Sequence, residues 1–444
     1  MSRNKNIRVA FYTLGCKLNQ AETEFLSGQF NKAGYHLVSP DEIADIYIIN
    51  TCTVTHIADR KSRHWLRLTR RKNPKALIIA TGCYAQRAPR ELNQIAGMVI
   101  DNKGKWHLLE IVKGLSPQYP LPAITKSQDS ECRQGETKQS NTPYNTRVRS
   151  LIRIQNGCHS PCAYCIVPYV RTHEYSLPAP QIINEIKEKV AAGYKEVILT
   201  GTKVGCYSYN RTDLRGLIEL ILHDTNIERL HLSSLQPQEI SSELLALWQD
   251  RRLCRHFHLA LQSGSEVMLQ RMRRCYSLGD YQRAMNLTRE TITNVAITTD
   301  IMIGFPGEGD KEFEQSYHFC QQASFADVHV FPFSPRLGTA AAKAPGQVKD
   351  QVKKERAQQM LELAKCCKHD FHARFLGQLM SVLWEKETGL ESNIYSGLTD
   401  NYIRVFTQSG KHLTNKITRV KLDEFYIQGM WGKLIDEDSS QGKS

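Results

Sequence analysis

Three cysteines with a short, regular spacing stand near the middle of the chain. They are Cys158, Cys162 and Cys165, in the pattern C-x3-C-x2-C. Thiolates are the usual ligands of iron–sulfur clusters, and four of them normally hold a four-iron cube. Three cysteines leave one iron open to a small molecule that offers an amine and a carboxylate, as S-adenosylmethionine (SAM) does. The alternative is a zinc site, which would need a fourth ligand from His159 or elsewhere.

Three further cysteines, Cys16, Cys52 and Cys83, are far apart in sequence but equivalent in position, because each directly follows a predicted strand. Those strands are Ile7–Leu14, Asp45–Asn50 and Ala76–Ala80. The carboxyl ends of parallel strands lie at one sheet edge, where ligands gather in open α/β folds. We therefore expect the three thiols to converge on one metal centre. The alternative is three separately buried cysteines.

The elements around the second set predict a small α/β domain over residues 5–115. A helical pattern from Gln20 to Ala33 follows the first strand, and strands then alternate with helices. This alternation favours a parallel sheet. A polar stretch rich in Ser, Gln, Thr and Lys follows, and we interpret residues 116–147 as an interdomain linker.

The middle segment, residues 148–372, alternates strands and helices six times. The predicted strands are Leu151–Gln155, Glu196–Thr200, Arg229–Ser233, His256–Leu261, Val295–Ile303 and Ala326–Phe333. This repetition indicates a partial (βα)6 barrel, open on one side and able to admit a large substrate. Cys158 directly follows the first strand, at the end of the barrel where active-site loops lie.

The last part of the chain predicts a small β-barrel over residues 373–437, after a long helix from Lys349 to Phe375. Its predicted strands are Leu379–Trp384, Ile403–Thr407, Lys416–Val420 and Glu424–Gly429. Gly and Asn turns separate these strands, which is typical of a barrel-like module. The predicted fold class is therefore α/β with a carboxyl-terminal β module.

The composition indicates a globular protein with a polyanionic partner. The chain has 444 residues, a formal net charge of +13 and thirteen cysteines. It contains no apolar stretch of membrane-spanning length and no signal-peptide pattern, so we expect a cytoplasmic location and no membrane partner. Cysteines in a reducing cytoplasm favour metal or redox chemistry over disulfides.

Much of the positive charge falls between Arg60 and Arg90, where ten residues are Lys or Arg and none is Asp or Glu. A helical stretch after Cys52 carries the candidate RNA-binding residues Arg60, Arg63, Arg67, Arg70 and Arg71. Such a face suits a phosphate backbone, and Trp65 among the arginines could stack on a base. The alternative is a solvated helix.

The cysteine loop resembles that of the radical SAM superfamily, as do the six strand–helix units and the aromatic Tyr164 before the third cysteine. The resemblance implies a [4Fe-4S] cluster on Cys158, Cys162 and Cys165, with SAM on its open iron and Tyr164 near the adenine. The same resemblance implies a SAM pocket at successive strand ends, lined by Thr200, Gly201, Gln262, Ser263 and Asp300.

Two three-cysteine sets, an amino-terminal α/β domain, such a barrel and a TRAM-like (OB-like) terminal module together resemble the methylthiotransferases. This resemblance implies a second [4Fe-4S] cluster on Cys16, Cys52 and Cys83 that handles sulfur. It also implies one SAM for the methyl group and another for the radical that activates a C–H bond. The implied partners are the anticodon loop of a tRNA, an electron donor and a sulfur source.

Residues 199–205 and 259–265 look most like the MtaB branch, which converts threonylcarbamoyladenosine next to the anticodon (adenosine-37) to its 2-methylthio derivative. Thr172 departs from the family pattern, because glycine is expected there. The alternatives are the MiaB branch, acting on isopentenyladenosine, and modification of a ribosomal protein side chain. A zinc-bearing RNA-binding protein without catalysis is the alternative from another class.

Overall fold

The computed structural model describes residues 7–115, 148–388 and 393–435. It divides into two compact units, residues 1–146 and 147–444. The predicted linker, 116–147, lies outside the described residues. The second unit contains both the predicted core, 148–372, and the predicted terminal module, 373–437.

The first unit is built on a parallel sheet with strand order β2-β1-β3-β4-β5. Its elements are β1 Arg8–Thr13, α1 Lys17–Lys32, β2 His36–Val38, β3 Ile46–Thr51, α2 His56–Lys72, β4 Leu77–Gly82, α3 Cys83–Arg87, α4 Pro89–Asn93, β5 Met98–Val99 and α5 Leu108–Leu115. Every residue of β3 is buried, because a central parallel strand is covered by helices on both faces. The predicted parallel sheet is confirmed, and the short edge strands β2 and β5 are additions.

The second unit begins with two parallel sheets, of strand order β12-β9-β6 and β13-β14-β15-β16, which we together call the barrel sheet. Its strands are β6 Arg149–Arg153, β9 Glu196–Thr200, β12 Arg229–Leu232, β13 Ser234–Leu235, β14 His256–Leu259, β15 Ala296–Ile303 and β16 Asp327–Pro332. Two separate antiparallel pairs accompany it: β7 Gln155–Asn156 with β8 Tyr175–Ser176, and β10 Ser208–Tyr209 with β11 Thr212–Asp213. All six predicted strands are confirmed within a few residues.

Helices cover one face of the barrel sheet, as the strand–helix alternation predicts. They are α6 Val167–Val170, α7 Ala179–Ala191, α8 Leu214–Asp224, α9 Ser242–Leu245, α10 Glu266–Arg271, α11 Leu278–Thr291, α12 Asp310–Ala323, α13 Ala340–Lys343 and α14 Asp350–Ala373. One continuous core joins the sheet to these helices: Ile301 of β15 and Leu217 of α8 are both fully buried within it. The alternate residues of the strands therefore face the interior of the barrel.

The chain ends in a closed five-stranded barrel with strand order β17-β18-β19-β21-β20. Its strands are β17 Leu379–Glu387, β18 Ile394–Thr399, β19 Arg404–Gln408, β20 Ile417–Tyr426 and β21 Gly429–Leu434. Strands β18 and β21 lie outside the strands predicted, and the prediction divided β20 into two strands. The cause of this division is a register shift between Leu422 and Glu424, because an extra residue in one strand breaks the alternation that marks a continuous strand.

This terminal barrel is anchored to the amino-terminal ends of the barrel strands. The Arg229 guanidinium, at the start of β12, donates to the carbonyl oxygens of Leu398 and Ser381 at 2.9 and 2.8 Å. Arg255 forms an ion pair of 2.5 Å with Asp400. Among the described residues, no helix combines the length and apolar composition that crossing a membrane requires.

Candidate functional site

The cysteine loop leaves the barrel sheet just after β7, where Gly157 turns the chain. Gly157 has φ +81°, and a Cβ at this position would overlap the backbone of His173. Only glycine tolerates both conditions. The loop is therefore held against the segment that returns from α6 to β8, and its three cysteines are half-buried.

Each sulfur of this loop accepts a hydrogen bond from an N–H group. The donors are the backbone N–H groups of Ser160 and Val167, each 3.4 Å from Cys158 and Cys165 respectively, and the Arg274 guanidinium, 3.3 Å from Cys162. Burial raises the pKa of Cys165 to about 12. Such a thiol is protonated unless a cation is bound, so three sulfurs with N–H donors fit a cluster better than free thiolates.

Arg274 was not among the predicted site residues, although its guanidinium contacts the Cys162 sulfur of the loop. Its guanidinium also lies 3.3 Å from the Tyr164 hydroxyl and 3.0 Å from the Tyr276 hydroxyl. Arg274 thereby joins the predicted adenine-side tyrosine to a predicted cluster ligand. No spacing signal marks an arginine after α10, because the contact arises only when β14 and the loop meet in space.

Thr200 and Gly201 end β9 beside the cysteine loop. Thr200 is buried, and a Cβ on Gly201 would lie 3.0 Å from the carbonyl oxygen of Gln155. The Gln155 side-chain oxygen accepts the backbone N–H groups of Thr202 and Lys203 at 3.0 and 2.9 Å. Gln155, another residue not predicted, thus ties the β9 turn to the strand that leads into the loop.

Gln262, just beyond the end of β14, meets Asp300 within β15. The backbone N–H of Gln262 donates to the Asp300 carbonyl at 2.8 Å, and Gln262 has φ +71°. A left-handed backbone is uncommon for a residue other than glycine, asparagine or aspartate, and such strain concentrates at functional sites. Ser263 is placed differently: its buried hydroxyl lies 3.1 Å from the Ser316 hydroxyl on α12.

The Asp300 carboxylate faces two histidines inside the barrel. His258 Nε2 lies 3.2 Å from one oxygen and His329 Nδ1 lies 3.6 Å from the other. Burial by itself would raise the pKa of Asp300, but hydrogen bonds from these histidines outweigh it and lower the pKa below its ordinary value. Asp300 is therefore an ionised acceptor. His258 and His329 were not predicted as site residues. The alternation His256-Phe257-His258 in β14 was a signal for the first of them, because it places two histidines on one face of the strand.

Cys16, Cys52 and Cys83 lie at the carboxyl ends of three adjacent strands in the first unit. The register pairs Thr13 with Asn50 and Thr51 with Gly82, which sets the three strand ends side by side. Cys16 is exposed at the start of α1, whereas Cys52 and Cys83 are buried. The structure thus brings the predicted set to one sheet edge.

Close backbone approach shapes this second cysteine set. Gly15 has φ +94°, and a Cβ there would lie 2.5 Å from Cys52 Sγ. Burial, with smaller contributions from Cys16 and Cys83, raises the pKa of Cys52 to about 12. Three thiols near enough to influence one another, in a cradle that excludes even a methyl group, fit a metal cluster that takes them as thiolates.

The predicted basic helix is α2, and its arginines divide into two groups. Arg60, Arg67 and Arg71 are exposed, and they line one groove together with His64 and the half-buried Arg63. Arg63 instead pairs with Glu91 at 3.0 Å, and Arg70 donates to backbone carbonyls at the end of the helix.

Trp65 lies on the same helix, with its ring stacked on Tyr12 at 3.8 Å. One face of the indole is therefore already covered by the protein. The three exposed arginines form what we call the basic stripe: Arg60, Arg67 and Arg71.

Comparison with known proteins identifies the families that the two units resemble. Residues 8–101 match the model described as "Uncharacterized protein family UPF0004", and residues 152–320 match the radical SAM superfamily. A structure of TsrM from Kitasatospora setae, described as a radical S-adenosylmethionine methyltransferase, aligns with TM-score 0.56 over 77% of this chain and 74% of that chain. Their sequence identity is 15%, so this likeness shows the fold alone. The second unit is accordingly a radical SAM fold.

Curated relatives narrow the family. The chain is 33% identical to the threonylcarbamoyladenosine tRNA methylthiotransferase MtaB of Bacillus subtilis over 98% of each chain, and 34% identical to that of Aquifex aeolicus over 93% of this chain and 100% of that one. It is 31% identical to the tRNA-2-methylthio-N(6)-dimethylallyladenosine synthase of Thermoanaerobacter over 98% of this chain and 94% of that one. The chain belongs to the radical SAM methylthiotransferase family.

Proposed function

We propose that this protein converts threonylcarbamoyladenosine-37 of tRNA to its 2-methylthio derivative. The observation that carries the proposal is the pair of three-cysteine sets, each at the carboxyl edge of a parallel sheet, in a chain that aligns end to end with relatives of that activity. Acting on tRNA, it would work in the cytoplasm, with an electron donor and a sulfur source as further partners.

In the second unit, Cys158, Cys162 and Cys165 would hold one [4Fe-4S] cluster. The cluster and SAM together supply the reductive cleavage that yields a carbon radical. The chain's own part is orientation: Arg274 fixes Cys162 and Tyr164, Gln155 fixes the turn at Gly201, and Asp300 offers a charged acceptor. Positioning of this kind supports catalysis, because the reaction is much slower when a reacting group is out of place.

In the first unit, Cys16, Cys52 and Cys83 would hold the second [4Fe-4S] cluster, which carries the sulfur to be inserted. Cys16 is the exposed member of this set. A site that hands sulfur to a nucleotide must be reachable from solvent on one side, and Cys16 marks that side. Buried Cys52 and Cys83 anchor the opposite side.

The substrate assignment can be tested in cells that lack the gene. We expect mass spectrometry of digested tRNA to show loss of the methylthio form of threonylcarbamoyladenosine, together with accumulation of the unmodified form. The wild-type gene should restore the product, whereas Cys162→Ala should not. Loss of methylthio-isopentenyladenosine would instead assign the chain to the MiaB branch. Normal tRNA in both respects would contradict a tRNA substrate.

The basic stripe would contact tRNA phosphates. Replacing Arg60, Arg67 and Arg71 by alanine removes three exposed cations, and each lost phosphate contact should reduce the salt dependence of tRNA binding by about one unit of slope. The matched control is Lys187→Ala/Lys311→Ala/Lys354→Ala, which removes the same charge from exposed positions on α7, α12 and α14. Equal losses in both triple variants would show that net charge, not this groove, governs binding.

A further inference from the structure

A turn of the terminal barrel inserts one aromatic side chain into the amino-terminal end of the barrel sheet. Tyr402, between β18 and β19, stacks on His231 and on His256 with ring centroids 4.4 Å apart in each case. Its backbone has φ +68°, a conformation that a bulky side chain rarely adopts without a structural reason. The ion pair of Asp400 with Arg255 holds the same turn in place.

From Tyr402 a continuous series of hydrogen-bonding groups crosses the barrel interior to Asp300. The successive contacts are Arg149 Nη1 to Tyr402 Oη at 2.7 Å, Tyr402 Oη to His231 Nδ1 at 3.1 Å, His231 Nε2 to His256 Nδ1 at 2.8 Å, His256 Nε2 to Thr298 Oγ1 at 3.1 Å, Thr298 Oγ1 to His258 Nδ1 at 3.0 Å, and His258 Nε2 to Asp300 Oδ2 at 3.2 Å. We call this series the interior chain.

With one proton on each imidazole, the two ends of the interior chain set the direction of every hydrogen bond in it. A guanidinium can only donate, and an ionised carboxylate can only accept. His258 must therefore donate from Nε2 to Asp300, which leaves its Nδ1 to accept from the Thr298 hydroxyl. The same reasoning puts the proton of each imidazole on Nε2 and makes Tyr402 donate to His231.

One set of neutral tautomers therefore satisfies all six contacts, and every donor points towards Asp300. Hydrogen bonds aligned in this way polarise one another in a low-dielectric interior, so the members act as a unit. Arg149 is itself held by Glu385 at 2.7 Å, a residue of β17. The origin of the interior chain thus lies at the junction with the terminal barrel.

We propose that the interior chain lets the terminal barrel fix the orientation of Asp300, making Tyr402, His231, His256 and His258 positioning residues for SAM. The inference rests on the proposed function, because it takes Asp300 as part of the SAM pocket. Its consequence is that a hydroxyl in the terminal barrel influences how SAM is bound at the opposite end of the strands.

The first test measures SAM affinity of the reconstituted holoenzyme by equilibrium dialysis. Tyr402→Phe keeps the stacked ring and removes the hydroxyl that donates to His231, and we expect the Kd for SAM to rise by about 3- to 10-fold, the size of one hydrogen bond. The matched control is Tyr281→Phe. Its hydroxyl donates to the Leu259 carbonyl at 2.9 Å on the helix-covered face of the same strands, so this variant should leave the Kd unchanged.

A double-mutant cycle separates positioning from general destabilisation. Asp300→Asn should weaken SAM binding by itself, and adding Tyr402→Phe to it should change the Kd by less than about twofold, because residues of one network are not additive. Additive losses would overturn the inference, as would a Tyr402→Phe variant that binds SAM like the wild type. If the wild-type holoenzyme does not bind SAM, the proposed function fails as well.

Histidine tautomers give a readout that does not depend on SAM. Long-range ¹H–¹⁵N spectra of the labelled, full-length holoenzyme should show His231, His256 and His258 neutral and protonated on Nε2. Protonation of any of them on Nδ1 would overturn the inference.

A metal ion is the competing occupant, because His258, Asp300 and His329 have ligand atoms within 4.8 Å of one another. Such an ion would take the lone pair of His258 Nε2 and reverse the direction of donation. One divalent ion per chain that is lost in His329→Gln would therefore contradict the proposal, whereas the same metal content in the two proteins agrees with it.

Discussion

The two cysteine sets contain the same number of thiols but are built in opposite ways. Cys158, Cys162 and Cys165 lie within eight residues of one loop, whereas Cys16, Cys52 and Cys83 come from three strand ends that meet only when the first sheet has formed. The loop sulfurs are stabilised by N–H donors, among them the side chain of Arg274. The sheet-edge set depends instead on close backbone packing at Gly15. A local set can tolerate changes in the fold around it, and a distributed set cannot.

The largest effect we expect comes from the loop. Cys162→Ala should abolish SAM cleavage to 5′-deoxyadenosine and reduce the iron content from about eight to about four per chain. The measurement is anaerobic iron analysis combined with chromatography of the SAM products. Cys275→Ala/Cys366→Ala removes two exposed cysteines outside both sets and should change neither quantity. Cleavage that survives in Cys162→Ala would remove the loop from the mechanism.

The next effect concerns the sheet edge. Gly15→Ala forces a methyl group against Cys52 Sγ in a left-handed backbone, so we expect loss of the first unit's iron, again leaving about four per chain. SAM cleavage should persist.

Gly28→Ala on α1 is the matched control, because a Cβ there meets nothing within 4 Å. This variant should keep all its iron and gain about 0.5–1 kcal/mol in free energy of unfolding. Identical iron contents in the two alanine variants would contradict the close-packing account.

A smaller effect is expected at Arg274. Arg274→Gln removes the donor to Cys162 and should weaken SAM binding by about 10- to 100-fold, as is typical when a group that orients a metal ligand is lost. The sheet-edge cluster should be unaffected. Arg273→Gln, at the exposed neighbouring position, serves as the control for charge. If both variants bind SAM alike, Arg274 acts only through its charge.

The smallest expected effect is on the free energy of unfolding, and it distinguishes two serines that contact cysteines. The buried Ser62 hydroxyl lies 3.2 Å from the Cys52 carbonyl oxygen and 3.4 Å from its N–H, so Ser62→Ala should cost about 1 kcal/mol in free energy of unfolding. Ser160 contacts Cys158 through its backbone N–H, which alanine retains, so Ser160→Ala should cost nothing measurable. Urea unfolding of the two variants provides the comparison, and equal costs would contradict it.

The sequence predicted the features that depend on periodicity and local spacing. The barrel strand Glu196–Thr200 agrees in both of its bounds, because the apolar, β-branched run Val197–Leu199 between two helical segments favours a buried strand. The continuity of β20 was missed, because a shift in register hides the alternation on which the prediction relies. Strands β18 and β21 were not predicted. The positions of Cys16, Cys52 and Cys83 were predictable, because each of them follows a strand that an apolar run marks in the sequence.

Side chains that meet across the fold were not predictable. Arg274 and Cys162 are far apart in sequence, and so are His258, Asp300 and Tyr402. Arg274, His258 and Tyr402 belong to no local motif. Their contacts depend on the order of the strands and on the packing of the terminal barrel. Neither can be recognised from the spacing of residues in one sequence.

The most direct test of the account uses the variant Cys16→Ala/Cys52→Ala/Cys83→Ala, purified and reconstituted without oxygen. Two independent centres with divided roles predict about four irons per chain, continued cleavage of SAM to 5′-deoxyadenosine, and no methylthio product on tRNA. About eight irons per chain, or methylthiolated tRNA from this variant, would contradict the account.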